Sequence, residues 1–327
     1  MVGAQLAVSL PGTALTPGLV EHLRAIQANS LVLFSRNYVS PAQCLELIRS
    51  LEAALGRPLV VMVDHEGGRV VRFPTGVTSF PDARAQGQRH DLAAIRRQGE
   101  IEGEELRPLG VRVNLAPCAD VVVEGADPVI GARSYGADPA WVAACAAARI
   151  EGLQSRGVAA CAKHFPGLGA VPRDPHLTLP TIRLDRATLE RIHLAPFQAA
   201  AAAGVAMIMS SHVCYPTLGD PPGVPATFSA RLIRGVLRDR MQFEGVVLSD
   251  DLEMGALREC GTIGDAAVKA VAAGHDVVLF CSGDMVVQQE AFAALQGAYQ
   301  CGRLDLSRLE ATVERIRLFE ENFCNIY

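Results

Sequence analysis

The residues best suited to chemistry lie between Lys163 and His176, where KHFPGLGAVPRDPH opens on a Lys-His pair at the end of an apolar run and closes on Asp-Pro-His. Lys163 and Lys269 are the chain's two lysines, against 28 arginines, so a Lys beside a His stands out where Arg is the default cation. An ammonium is compact and rotatable. It can donate to several sugar hydroxyls or, once neutral, form an imine. Asp174, two residues before His176, suits an Asp-His dyad. A carboxylate there fixes the imidazole tautomer and raises its basicity, as a general acid/base near neutral pH requires. The Gly- and Pro-rich stretch between the two ends is irregular and able to close over a substrate.

Two carboxylate motifs accompany this loop. In VVLSDDLEM, Asp250 and Asp251 follow an apolar run directly. Neighbours on a strand point to opposite sides, so one of the pair is expected to face a pocket as the catalytic carboxylate. Asp251 is the better candidate for a capping role, and the plain alternative is that the pair only starts a helix. In VDHEGGRVVRF, Asp64 ends an apolar run, Gly67 and Gly68 permit a tight turn, and Arg69 and Arg72 follow. A carboxylate at such a rim accepts hydrogen bonds from vicinal hydroxyls and an arginine donates to the same polyol, whereas the plain alternative is a solvated turn. The histidines lack the spacing of a zinc helix, so no metal is expected. His65, His22, His90, His193 and His275 read as structural, and His212 has weak context.

These groups need elements to hold them. Eight short apolar runs suit buried parallel strands: 4–10, 30–34, 59–63, 111–115, 159–162, 206–209, 246–248 and 276–280. Helix-length segments at 41–55, 91–106, 139–154, 187–203, 229–240 and 263–273 lie between them, and two more, 285–299 and 306–319, follow the last run. Such alternation predicts an α/β fold, a closed (β/α)8 barrel in one domain over 1–327. The segment after the first run is poorly patterned. Polar groups gather just after the runs, among them Asp64, His65 and Glu66, Asn114 and Asp120, Lys163 and His164, Ser210 to His212, and Asp250 and Asp251. In a barrel all of these reach the C-terminal rim, where active sites of this fold sit.

Composition narrows the partner. The chain is 50% hydrophobic with a net charge of -5 and no block of like charges, which argues for a small-molecule substrate and against nucleic acid. Nine scattered cysteines without a CxxC pair read as reduced core residues. There is no apolar stretch of membrane-spanning length and no convincing signal peptide, so a cytoplasmic enzyme is expected.

Taken together, LVLFSRNY, VDHEGGRVVRF, NLAPCADV, GARSYG, AKHFPGLGAVPRDPH and VVLSDDLEM resemble the family 3 glycoside hydrolases. The resemblance is closest to their single-domain bacterial β-N-acetylhexosaminidases of cell-wall recycling and covers nearly the whole barrel. It implies a retaining mechanism with Asp250 as nucleophile, His176 as acid/base and Asp174 as its partner. It further implies that Asp64, Arg72, Arg133, Lys163 and His164 bind N-acetylglucosamine, that no cofactor is needed, and that the substrates are muropeptide-derived disaccharides. An oxocarbenium-like transition state needs such an anion, acid and set of anchors. Two positions depart from the family pattern. Leu168 stands where KHFPGHG has its second His, and Pro175 replaces the Ser of Asp-Ser-His. The competing readings are a β-glucosidase or glycoside phosphorylase, a Schiff-base aldolase using Lys163, and a non-catalytic sugar-binding barrel.

Overall fold

The computed structural model describes residues 1–324. Eight parallel strands close in sequence order into one barrel. They are β1 (Leu6–Ser9), β2 (Ser30–Leu33), β3 (Val60–Val63), β4 (Val113–Asn114), β5 (Ala159–Phe165), β6 (Met207–Ser210), β7 (Val246–Asp251) and β8 (Val277–Phe280). Helices occupy the connections, and Met285–Gln300 and Leu306–Phe323 follow β8. The predicted (β/α)8 class is the observed one.

The strand sequences sort themselves by period two. Ala7, Val32, Val60, Met62, Val113, Ala159, Cys161, Met207, Met209, Val246, Leu248, Val277 and Leu279 pack together as the barrel interior. Their strand neighbours, such as Leu6, Val8, Leu31, Leu33, Val61, Val63, Ile208, Val247 and Val278, pack against helix residues such as Leu47, Ile48 and Leu51. Both faces are apolar because both are covered, and each fully buried Val or Leu contributes about 1.5–3 kcal/mol. Extending the inward alternation to the strand ends brings Phe34, Asp64, Lys163, Asp250 and Cys281 to the inner side of the C-terminal rim.

Several boundaries differ from expectation. β1 is shorter than 4–10 because Val2–Gln5 winds into a 3-10 turn. The weakly patterned segment after it holds a nine-residue helix, Pro17–Ala25, started by Pro17 and by Thr16, whose side chain accepts the Leu19 N–H. β5 and β7 run further than the apolar runs. Phe165 still pairs with Ser210, and Asp251 with Leu279, each after a register shift. Lys163, His164, Asp250 and Asp251 are therefore strand residues. The segments at 187–203 and 229–240 include wider π-helical turns, over Leu189–Leu194 and Arg231–Arg240. All nine cysteines are free thiols, as read from their spacing.

Candidate active site

A cavity of about 470 Å³ opens at the C-terminal rim, bounded by residues from β2, β3, β5, β7, β8 and their following loops. Another of about 460 Å³ lies at the opposite end, below Ala206 and Val246, and is walled largely by Phe243, Leu318, Phe319 and Phe323. The ionisable groups converge only on the first. Asp64, Arg72, Arg133, Lys163, His164, Asp174, His176 and Asp250, every residue singled out in the sequence, line that cavity together.

Its floor is a continuous chain of ion pairs and hydrogen bonds. Lys163 Nζ, with a side chain 3% exposed, donates to Asp64 Oδ1 at 2.6 Å and lies 2.7 Å from Glu66 Oε1. Glu66 accepts two bonds from Arg133, at 2.9 and 2.7 Å. Arg133 Nη2 reaches His164 Nε2 at 3.2 Å, and His164 Nδ1 lies 2.7 Å from Asp120. A guanidinium can only donate, so Nε2 accepts and Nδ1 carries the proton offered to Asp120. At the other end Arg72 Nη2 lies 3.3 Å from Asp64 Oδ2, with its guanidinium 5.1 Å from the centre of the Phe34 ring.

Local sequence explains why these groups stay in place. Gly67 has φ +96°, and an added Cβ would come 2.8 Å from the Pro81 carbonyl, so the turn after Glu66 needs glycine. The Asn114 side chain holds the His65 backbone from both sides, accepting its N–H at 3.0 Å and donating to its carbonyl at 2.9 Å. Buried Arg149 donates to the carbonyls of Glu66 at 2.9 Å and His65 at 3.1 Å while paired with Glu102 at 2.8 Å.

Burial raises the cost of ionising Asp64 and Glu66, but Lys163 with Arg72, and Arg133 with Lys163, outweigh it. Asp64 is held below the ordinary carboxylate range and Glu66 well below it. Burial likewise disfavours the Lys163 ammonium, yet Asp64 and Glu66 hold its pKa above the ordinary value. An amine kept protonated between two carboxylates has no free lone pair for a carbonyl, which removes the basis of the Schiff-base reading.

The wall is built differently. His176 is 59% exposed, with Nδ1 2.6 Å from Asp174 Oδ1 and its backbone N–H donating to the same oxygen at 2.8 Å. Partial burial opposes ionisation of Asp174, but both contacts to His176 prevail and lower its pKa. Asp250 takes the inward side of β7. Asp251 lines the cavity too, contrary to the expectation that one of the pair would, because the β7–β8 register shifts between Leu248 and Asp251. It accepts the N–H groups of Glu253 at 3.1 Å and Cys281 at 3.2 Å, closing a turn instead of a helix start. Burial, then the nearby Glu253 and Asp250 carboxylates, push its pKa up to about 7.

Sequence reasoning gave Glu66 and Asp120 no role, although both stood among the polar groups after the strands. Glu66 bridges Lys163 and Arg133. Asp120 receives the His164 imidazole, the His164 N–H at 3.3 Å and the Leu168 N–H at 2.5 Å. The one signal for Glu66 was its position two residues beyond Asp64, and Asp120 had none beyond its place after a strand. Leu168 is buried and lines the cavity, so the departure from the family pattern changes a side chain while its backbone still anchors to Asp120. Cys118, Asp120 and His164 come close enough to suggest a cation site, but Asp120 is already committed to these donors. His65, His193, His212 and His275 are buried, and none lines the cavity.

A barrel whose rim gathers an inward carboxylate, an Asp-His pair and a charged floor of sugar-type hydrogen-bonding groups defines an enzyme of glycosyl chemistry. Comparison with known proteins agrees. Residues 4–318 match the Glycosyl hydrolase family 3 N terminal domain. A beta-hexosaminidase of Nitrosomonas eutropha is 37% identical over 311 residues, covering 93% of this chain and 87% of that protein. The glycoside hydrolase family 3 beta-N-acetylglucosaminidase from Paenibacillus sp. superposes with a TM-score of 0.96 at 35% identity, covering 99% of this chain and 62% of that longer one. NagZ from Neisseria gonorrhoeae, solved with N-trifluoroacetyl-D-glucosamine, gives a TM-score of 0.79 at 30% identity, covering 96% and 98%. The chain belongs to glycosyl hydrolase family 3. It is a glycoside hydrolase, and its relatives group it with the beta-hexosaminidases of that family.

Proposed function

We propose that this chain is a retaining exo-β-N-acetylglucosaminidase, one barrel domain over 1–327, acting in the cytoplasm on muropeptide-derived disaccharides without metal or organic cofactor. The observation that carries the reading is the meeting of Asp250 with the Asp174–His176 pair over one charged floor. No helix among the described residues is long and apolar enough to cross a membrane, which fits a small dissolved substrate. A pocket of about 470 Å³, with Met209 and Leu279 among the apolar residues that line it, suits a chain end.

In the first step an Asp250 oxygen bonds to the anomeric carbon as the glycosidic C–O bond breaks, and Nε2 of a protonated His176 gives its proton to the departing oxygen. Asp174 holds Nδ1 and stabilises the imidazolium before that transfer. In the second step water attacks the same carbon, His176 Nε2 takes its proton, and the Asp250 carboxylate leaves, so two inversions restore the configuration. Asp64, Lys163, Arg133, His164 and Arg72 hold the sugar hydroxyls. Their pairing before substrate arrives means that little reorganisation accompanies binding.

The test is hydrolysis of an aryl β-N-acetylglucosaminide beside the matching β-glucoside, by wild type and Asp250→Asn, with products analysed with and without inorganic phosphate. Turnover confined to the N-acetyl substrate and reduced at least about 10³-fold in the variant is expected. Substantial residual activity in Asp250→Asn would remove it as nucleophile. A sugar phosphate product would make the enzyme a phosphorylase.

A further inference from the structure

The loop carrying His176 is anchored firmly at both ends. On one side Leu168 N–H bonds Asp120, and the Gly169 and Val171 carbonyls accept from Val123 at 3.1 Å and Asp127 at 2.8 Å. On the other, Ile182 N–H donates to the Cys214 carbonyl at 3.0 Å and Cys214 N–H to Pro180 at 2.9 Å. Across 172–179, two hydrogen bonds among the described residues reach another part of the chain, both to the segment after β7. Gly255 N–H donates to the His176 carbonyl at 3.1 Å, and Ala256 N–H to the Pro175 carbonyl at 3.0 Å. The Pro175 side chain is buried at this contact, whereas His176, Leu177 and Thr178 are exposed, so the two backbone bonds and Pro175 carry the docking.

Gly255 fits this contact through its missing side chain. A Cβ there would stand 2.4 Å from the His176 carbonyl oxygen and 2.8 Å from that of Leu177, both backbone atoms that cannot swing aside. We propose that Gly255, with the Ala256 N–H, is the seat on which the acid/base loop docks, making Gly255 a positioning residue for His176. One segment, Asp250 to Ala256, then both carries the nucleophile and sets where the acid/base stands opposite it. Pro175 suits this arrangement. It needs no partner for an N–H and offers its carbonyl to Ala256.

The inference rests on His176 being the acid/base, and the experiment separates failure of the two. Gly255→Ala, His176→Ala and the double variant are assayed on a disaccharide with a sugar leaving group and on an activated 2,4-dinitrophenyl glycoside, with thermal melting as a folding control. Gly255→Ala is expected to lose at least about 10-fold in kcat/KM on the disaccharide, part of the 10²–10⁴ that general acid catalysis supplies. It should lose far less on the activated substrate and add little loss to His176→Ala, since both remove the same proton transfer. Disaccharide activity like wild type in Gly255→Ala, or an equal further loss in the His176→Ala background, would overturn the seat. Absence of leaving-group dependence in His176→Ala itself would instead overturn the acid/base assignment. Should Gly255→Ala fail to fold, Ala256→Pro removes the second docking N–H in a 3-10 turn whose φ suits proline, and the same outcomes decide.

Discussion

The floor and the wall of the cavity solve opposite problems. In the floor, Arg72, Asp64, Lys163, Glu66, Arg133, His164 and Asp120 form an unbroken sequence of partners, largely buried and drawn from positions far apart in the chain. On the wall, Asp174 and His176 are two residues apart, partner each other, and face solvent. The difference teaches where rigidity is useful. Groups that bind a sugar gain from having their dipoles fixed in advance, whereas an acid/base must exchange its proton with leaving group and water in turn.

The comparison breaks most visibly through stability. Lys163→Met removes the cation shared by Asp64 and Glu66 and leaves two buried carboxylates under-compensated. A loss of about 3 kcal/mol is expected in urea unfolding, the lower end for a broken buried pair because Arg72 and Arg133 remain. A loss below about 1 kcal/mol would mean that the floor is not the coupled unit described.

A second test uses pH. Asp64 and Glu66 have depressed folded-state pKa values, so their contribution is present above the unfolded value near ~4 and is lost as pH falls through the folded values. Asp251, raised to about 7, has the opposite sign. Between ~4 and about 7 the folded state binds a proton there that the unfolded state does not, so stability falls as pH rises across that window. Asp251→Asn should flatten this slope, its stability relative to wild type rising by on the order of 2 kcal/mol as pH goes from about 5 to about 8. Identical slopes in urea denaturation at several pH values would show that Asp251 is ionised throughout.

The smallest stability change belongs to the wall. Asp174→Asn should alter unfolding by no more than about 0.5 kcal/mol, as for a site away from the core, while lowering kcat/KM on a disaccharide by at least about 10-fold, because the His176 Nδ1 loses the carboxylate that orients the ring. Large destabilisation would place Asp174 with the floor. Disaccharide turnover like wild type would detach it from His176.

The barrel was legible because its strands are covered on both faces and so appear as apolar runs, and because the polar residues after them share one rim. The wall was legible for a similar reason, since Asp174 and His176 meet through local chain geometry that spacing alone conveys. The nine-residue helix Pro17–Ala25 was not, since its short length gives little periodic signal. Nor was the floor's wiring. Glu66 partners Lys163 and Arg133, and Asp120 partners His164, across separations that exist only once the barrel closes. The same holds for Asp251, turned into the cavity by a register shift between β7 and β8, and for Gly255, whose missing Cβ matters only where His176 comes to rest. The sequence by itself determined the barrel, the rim and the local dyad, because periodicity and near-neighbour spacing are properties of the chain. Only the tertiary structure decided which charges pair and which backbone atoms touch, because those energies depend on distances that strand closure creates.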